Sequence, residues 1–580
     1  MFIANFCVYF AFVTVAFAKP FSASFAVHER RDTPPSGFTS NGSANESSQL
    51  ILRIALTSNN LAGLEKALYK TAFVNNGVIR EHLTKEEVEQ FVWPTNDTIT
   101  KVTEWLSSEG IDFTTASSGG DWLKIKIDVG TANRLLNADF LSFSDDSTGK
   151  EVIRTLSYSI PTPLQSHIQF IHPTVAYVIL LVRVFKFPIK AIRTSLSLSS
   201  KQNLNALRNS QTLANRGLPS NCSEQITPSC LADLYDFPLS TLPQTASTLG
   251  IAEFENGFPQ ESDLMDFLEV FRPDIPSSLS FFVQSVDGGG NLSQSPAEAG
   301  IDANLNVQYT IGLVPEVPVE VFSVGDPDGI NGLLDLLNFT LSQPTLPQVL
   351  LIPFSFDEDT IPVPILNSLC YGYLQLGARG ISVIVPSGDG GTPGEENETC
   401  ATFRPFFPST CPYVTSVGAT TGLGPEMAVS YSLGGFSNVF STPSYQLTAV
   451  EHYINITGND NSTNFNTSGR AFPDTSVHGN DIVFIFQAQG LTIDTTITSA
   501  TIFASMIAFL NSVLLSKGHP VLGFLNPLIY TQPSGFDDIK LESDPACNTT
   551  GFSVVDGWDP RTGVGTLNVT KQLQIIADGF

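Results

Sequence analysis

Positive charge is what this 580-residue sequence has least of: Lys and Arg number 29 against 56 Asp and Glu, a net charge of −27. With no cationic surplus to neutralise phosphates, nucleic acid is excluded as a partner, and so is an anionic membrane surface. Repulsion among so many carboxylates is relieved where they are protonated, so an acidic working environment is expected. Histidine is scarce as well. Beyond residue 218 only His452, His478 and His519 remain, none in a triad-like motif, which argues against Ser/His/Asp catalysis. CxxC spacing and Cys/His clusters are absent, so nothing suggests zinc. After the N-terminus the most apolar run, Val175 to Phe185, is too short to cross a bilayer, and Arg183 interrupts it; it reads as buried or irregular.

Residues 1–18 are apolar with a small-x-small ending at Ala16 and Ala18, the pattern of a secretory signal although a basic n-region is missing. Cys7 leaves with that segment. Cys222, Cys230, Cys370, Cys400, Cys411 and Cys547 remain, an even number that reads as disulfides in an exported protein, with Cys222/Cys230 and Cys400/Cys411 the close pairs. Asn-x-Ser/Thr sequons at Asn96, Asn291, Asn338, Asn397, Asn455, Asn466 and Asn568 agree with a secreted, extracellular glycoprotein.

The length calls for two or more domains, and 42% hydrophobic residues suffice to fill them. Residues 19–48 are rich in Ser, Pro and charge without a period and read as a disordered lead-in. From 49 to 190 a small α+β domain is expected. Its elements are a strand over Leu50–Ala55, a helix over Leu61–Tyr69, a capping box at Thr84 with Glu87, an amphipathic helix over Thr98–Ser107, and an alternating strand over Trp122–Val129. Residues 191–217 form a linker suited to cleavage. From 218 to 580 strands and helices alternate, the signature of an α/β doubly wound parallel sheet.

Within that sheet, Gly380 to Gly391 (GISVIVPSGDGG) reads as a buried strand running into a glycine-flanked loop with Asp389 at its tip. Open α/β sheets place their sites at such carboxyl ends; the alternative is an ordinary tight turn. Ser295-Pro296-Ala297-Glu298 reads as a capping box opening a helix to about Tyr309, and Asp302 and Asn306, four apart, share one face of it. That face could equally be the solvated side of an amphipathic helix.

Taken with the segments LTKEEVEQF, GDWLKIKI and TGKEVIRTLSYSIP at the front, and SGDGG, SVGATTG, GRAFPD, FASMIAFLN and GWDPRTGVGT in order further on, the chain resembles the sedolisins. These are serine-carboxyl peptidases, and the likeness is greatest to the secreted fungal tripeptidyl peptidases among them. The resemblance implies a subtilisin-like catalytic domain behind an activation prodomain that serves as intramolecular inhibitor and chaperone. It implies peptide and protein substrates, action as a monomer, and a nucleophilic serine served by a glutamate and an aspartate, with a further aspartate in the oxyanion hole. Carried over, Asp389 is the oxyanion acid, Asp302 stands at the glutamate position and Asn306 at the aspartate position. The first change shortens a general base by about 1 Å, which can cost on the order of 10²-fold. The second replaces a titrating acid by an amide. Glu298 with Asp302 would restore the spacing one turn early.

Ser499 in Thr498-Ser499-Ala500 is the nucleophile candidate, but only if two residues are missing ahead of the following helix. Otherwise Ile497 takes the position and Ser499 is at most an N-cap. The same resemblance implies a Ca2+ site with carboxylates from Asp538 and Asp559 and carbonyls from Ile539, Val555 and Gly557, hard oxygen donors that suit calcium. The expected function is an acid-acting secreted peptidase made as a proenzyme. The alternative is a catalytically impaired or silent secreted glycoprotein on the same fold.

Overall fold

A computed structural model describes residues 24–35, 37–72, 81–146, 149–177, 190–191, 222, 225–239, 247–254, 257–290, 294–325, 330–391, 403–458, 464–542 and 551–578. The signal segment, nearly all of the linker, residues 178–185 of the apolar run, Asn291, Asn397, Cys400 and Cys547 lie outside the described residues. The chain divides into two compact units. One runs to Thr57 and adds Pro94–Ala116 and Gly120–Val175; the other holds Ser58–Trp93, Ser117–Gly119 and Ala176–Phe580.

The first unit is α+β, as expected. Its antiparallel sheet has the order Phe113–Thr115, Trp122–Asp128, Gln49–Leu56, Ile168–His172. Alternation along Gln49–Leu56 and Trp122–Asp128 turns Leu50, Leu52, Ile54, Leu123, Ile125 and Ile127 to one core, and the Asn96–Ser108 helix adds Val102, Trp105 and Leu106 to it. The disordered lead-in is corrected. Phe25–Arg30 pairs antiparallel with Ser157–Pro161, and Phe38–Ser43 with Phe140–Asp145. Both strands are held by backbone ladder bonds with most side chains in solvent, so they carry no apolar period to read.

Ser58–Trp93, read from the sequence as part of the activation domain, packs with the second compact unit. Its helices are Leu61–Ala72 and Lys85–Val92, the latter with the expected capping box: Thr84 Oγ1 accepts from the Glu87 amide and Glu87 Oε2 from the Thr84 amide. Glu65 accepts from Tyr413 Oη at 3.0 Å and Lys85 Nζ donates to the Ser342 carbonyl at 2.7 Å. Partners about 250 to 350 residues away along the chain leave no local signal.

The second unit is built on one large sheet, ordered Phe282–Val286, Val319–Val324, Leu249–Phe254, Val349–Leu351, Ser382–Pro386, Thr415–Thr421, Thr475–His478, Thr566–Leu567 and Phe536–Asp537. All neighbours pair parallel until the last, which is antiparallel. Central strands such as Ser382–Pro386 are buried on both faces, hence their unbroken apolar runs. The Thr496–Ser516 and Ile301–Leu313 helices pack on each other against the sheet, and Ile330–Ser342 packs on Val363–Ala378. Thr496–Ser516 is long and apolar enough to cross a membrane by composition, but it is buried almost throughout and forms the core of this unit.

Two further expectations change here. Ser295 caps no helix: Pro296–Glu298 is a single 3-10 turn, and the helix starts at Ile301 after Gly300. The chain is held extended between them because the Phe258 amide donates to the Glu298 carbonyl and the Gly300 amide to the Phe258 carbonyl. Cys222 bridges Cys230 as expected, but Cys411 bridges Cys370, not Cys400. Cys370, 41 residues earlier, is brought there by the packing of its helix, which sequence proximity cannot show.

Candidate active site

The loop after Ser382–Pro386 delivers Asp389. Gly388, Gly390 and Gly391 around it have φ of 115°, 106° and 71°, a backbone path open to glycine and strained for side chains. Asp389 is 8% exposed and lies at the start of the Thr496–Ser516 helix. Its Oδ1 accepts from the Thr496 amide at 2.8 Å and its Oδ2 from Thr495 Oγ1 at 2.8 Å. The helix thus spends an orphan N-terminal amide on this carboxyl. Burial pushes Asp389 up to about 6, against the lowering effect of the Thr496 and Thr495 hydrogen bonds.

Asp302 sits in the first turn of Ile301–Leu313. Burial, then the charge of Asp389, raises it to about 7, and its buried Oδ1 has no hydrogen-bond partner. One turn on, Asn306 is fully buried. Its Nδ2 donates to Glu253 Oε1 at 3.0 Å and its Oδ1 accepts from Thr501 Oγ1 at 2.7 Å. The face expected to carry an acid pair therefore does point at one site, and the solvated-helix alternative fails.

Glu253 is the residue that the sequence did not announce. It is the penultimate residue of the all-buried strand Leu249–Phe254, is 6% exposed, and is pushed up to about 8 by burial and by Asp302, opposed by the Asn306 hydrogen bond. A lone acid in an otherwise apolar strand was the available signal. Three buried carboxyls, 253, 302 and 389, are coupled at the carboxyl end of the sheet.

Ser499 is placed differently from expectation. It does not precede the helix but lies inside its first turn, with Thr495 as N-cap accepting from the Ile497 amide at 3.1 Å. Its Oγ is buried, makes no hydrogen bond, and lies against Gly479, where a Cβ would come within 2.4 Å of it. It is not hydrogen-bonded to Asp302, Asn306 or Asp389. Ile497, four residues before Thr501, shares the face of Thr501 that meets Asn306. It is 6% exposed. Glu298, in its 3-10 turn outside the helix, does not form the alternative pair with Asp302.

At the C-terminal end the expected metal residues come together. The Gly557 amide donates to Asp538 Oδ2 at 3.0 Å and the Val555 amide to Asp559 Oδ2 at 3.2 Å. Asp538 Oδ1 is buried without a partner. An orphaned carboxylate oxygen beside main-chain groups suits a hard cation. Asp559 is more occupied, its Oδ1 accepting from the Arg561 and Thr562 amides at 2.9 Å. Lys540 Nζ stands 3.7 Å from Asp538 and 2.7 Å from Asp556. Among the described residues no group of three or more His, Cys, Asp or Glu could hold a metal, so any cation here would need backbone carbonyls.

A parallel sheet with coupled buried acids at its carboxyl end, carried on a chain with a separate α+β unit, is the arrangement of a serine-carboxyl peptidase with its activation domain. Residues 36–177 match the family described as Pro-kumamolisin, activation domain. The chain is 33% identical to the tripeptidyl-peptidase SED2 of Arthroderma otae over 605 aligned residues, covering 97% of this chain and 98% of that one. Against a probable tripeptidyl-peptidase SED2 of Trichophyton verrucosum it is 32% identical, with the same coverage. Among solved structures, Pseudomonas sedolisin, a serine-carboxyl proteinase complexed with two molecules of pseudo-iodotyrostatin, shares the fold at a TM-score of 0.50 and 22% identity, covering 62% of this chain and 100% of that one. The chain belongs to the sedolisin family.

Proposed function

We propose that this chain is a secreted, acid-acting tripeptidyl peptidase made as a proenzyme, acting on peptides and proteins as a monomer, with Ser499 as nucleophile. The observation that carries the peptidase reading is the coupled trio Glu253, Asp302 and Asp389, on a chain aligned end to end with tripeptidyl-peptidases. Asp389, when protonated, donates to the carbonyl oxygen of the scissile amide as negative charge develops on it. Asp302, when ionised, takes the proton of the attacking hydroxyl. With the two carboxyls near 6 and 7, one proton is shared between them in that interval. The productive arrangement is the one with the proton on Asp389 and the charge on Asp302. Asn306 cannot relay a proton, so the relay ends there. Ser499 attacks only after the first helical turn opens, which lowers the rate further.

Calcium is part of this proposal. Asp538 and the carbonyls of Ile539, Val555 and Gly557 would hold it, with Asp559 organising the loop, and the ion would brace the C-terminal loops. The alternative is a catalytically silent glycoprotein that binds peptides; its one support is that helix spacing puts Ile497, not a hydroxyl, on the face of Thr501 that meets Asn306.

The test is cleavage of a tripeptide amide and of an unfolded protein from pH 3 to 7, after removal of the activation domain. Wild type, Ser499→Ala and the double change Asp302→Glu with Asn306→Asp are compared. Weak wild-type activity, lost in Ser499→Ala and raised by the double change, is expected; general acid–base assistance is worth about 10²- to 10⁴-fold. Full activity in Ser499→Ala refutes the nucleophile, and silence of both wild type and double variant establishes the alternative.

A further inference from the structure

The segment between Ser58 and Trp93 is matched to an activation domain, yet it folds with the peptidase unit. His82 joins Glu65 and Lys85 among the side chains that hold it there. The imidazole of His82 lies between two backbone turns: a Cβ at Gly380 (φ 85°) would fall 2.4 Å from its Cδ2, and one at Gly523 (φ 66°) 2.4 Å from its Cε1. Nε2 donates to the Val521 carbonyl at 2.8 Å, which sets the tautomer and leaves Nδ1 as a bare acceptor. Nδ1 is buried and has no partner. Next to it the Leu83 amide donates to the Ala378 carbonyl at 2.9 Å.

All of this lies at the amino end of the Ser382–Pro386 strand, whereas Asp389 follows its carboxyl end. Five extended residues, about 17 Å, separate the two. His82 therefore fastens the segment away from the candidate catalytic residues.

We infer that His82 is an acid-released latch, its neutral ring locking the helices Leu61–Ala72 and Lys85–Val92 onto the peptidase unit and letting go when Nδ1 takes up a proton. A proton on Nδ1 creates a buried N–H with no acceptor and a buried charge with no counter-ion. No carboxylate is hydrogen-bonded to the ring. A cleft of about 810 Å³ opens beside the ring and gives the proton a route. Its titratable and charged groups are Glu81, Lys85 and Glu86 from the segment itself, Arg379 from the turn before the strand, and His519 from the loop after the long helix. Lys85 Nζ also stands 3.8 Å from Glu89, and Glu89 and Glu86 both act on Arg379, so these carboxylates have cationic partners other than the ring. Lys85 and Arg379 are in addition committed to the carbonyls of Ser342, Leu341 and Gln343. Burial accordingly lowers the His82 pKa below its ordinary value, opposed only by the Val521 hydrogen bond.

The sign follows. A group whose docked pKa is depressed holds the docked state fully above the free value near 6.5 and loses it as pH falls, by up to about tenfold per pH unit for one proton. The latch rests on the proenzyme reading, but its test needs no catalysis. Hydrogen exchange of the full chain, corrected for intrinsic rates, is followed at the Leu83 amide and in both helices from pH 7 to 4. Wild-type protection is expected to fall below pH 6.5, by up to about tenfold per pH unit. His82→Gln, which keeps a donor to Val521 and cannot titrate, should hold its protection flat over that range; His167→Gln, a histidine of the other unit, should behave as wild type. Unchanged wild-type protection at pH 4, or a parallel fall in His82→Gln, overturns the latch. Should His82→Gln fail to fold, the wild-type profile decides alone.

Discussion

Replacing Glu253 by Gln tests whether the buried acids at the sheet's carboxyl end are neutral when folded. The carboxyl ionises at an ordinary 4.5 when free and at about 8 in the fold. It binds a proton more tightly in the folded state, so its contribution is fully present below pH 4.5 and is lost as pH rises towards 8. From pH 4.5 to 7 the span is about 2.5 units at about 1.36 kcal/mol each, or about 3 kcal/mol. Gln offers Asn306 Nδ2 the same kind of oxygen and has no proton to lose. Equilibrium urea unfolding of the full chain at pH 4.5, 5.5, 6.5 and 7 should therefore find Glu253→Gln close to wild type at the lowest pH and more stable by about 3 kcal/mol at pH 7. The gap should open at close to one proton per molecule. Parallel wild-type and variant profiles would show that Glu253 is ionised in the fold, and the account of the site as a set of neutral buried acids would fall. Asp302 and Asp389, raised to about 7 and 6, act in the same direction, so even the variant should lose stability as pH rises.

Two other outcomes are expected. If Asp538 holds calcium, a chelator should lower the melting temperature of wild type and leave Asp538→Ala unmoved, since a ligand at 100 times its Kd adds about 2.7 kcal/mol; a wild-type curve indifferent to chelator rejects the site. Asp474→Asn should destabilise by about 3 to 5 kcal/mol in urea unfolding, because Asp474 pairs with Arg470 at 2.6 Å, both fully buried, and its loss strands the guanidinium charge; a change under 1 kcal/mol would refute that.

What the sequence made legible follows the range of the interactions involved. The β-branched run at 381–385 and the capping box at Thr84 and Glu87 are complete within a few residues, and both fold as read. Asp302 and Asn306 were readable as a pair because four-residue spacing alone sets a helix face. Glu253 was not, because it joins Asn306 across 53 residues. The start of the Thr496–Ser516 helix was illegible for a different reason. Threonines at 495, 496 and 498 and Ser499 are all competent N-caps. The choice of Thr495 goes with Asp389, which takes the Thr495 hydroxyl and the Thr496 amide from 106 and 107 residues away. The strands at 25–30 and 38–43 escaped because ladder bonds leave no mark on an exposed sequence.

The position of that helix start also decides where a working hydroxyl belongs. Thr501 Oγ1 meets Asn306 Oδ1 at 2.7 Å, and stepping back one turn on each helix leads from Thr501 to Ile497 and from Asn306 to Asp302. Ser499, two residues on from Ile497, points about 200° away around the helix, at Gly479. Placing a serine at 497 should therefore bring a hydroxyl to the acid pair without opening the first turn. In a triple variant, Ile497→Ser with Asp302→Glu and Asn306→Asp, tripeptide release at mildly acid pH should exceed that of the double variant by roughly 10²-fold or more, the cost of a misplaced reacting group. That activity should survive Ser499→Ala. The substitution empties a buried branched side chain, at a cost of about 2 to 4 kcal/mol, so the melting temperature must be followed alongside the rate. A folded triple variant that is inert, or whose activity still depends on Ser499, would show that residue 497 does not face the carboxyls.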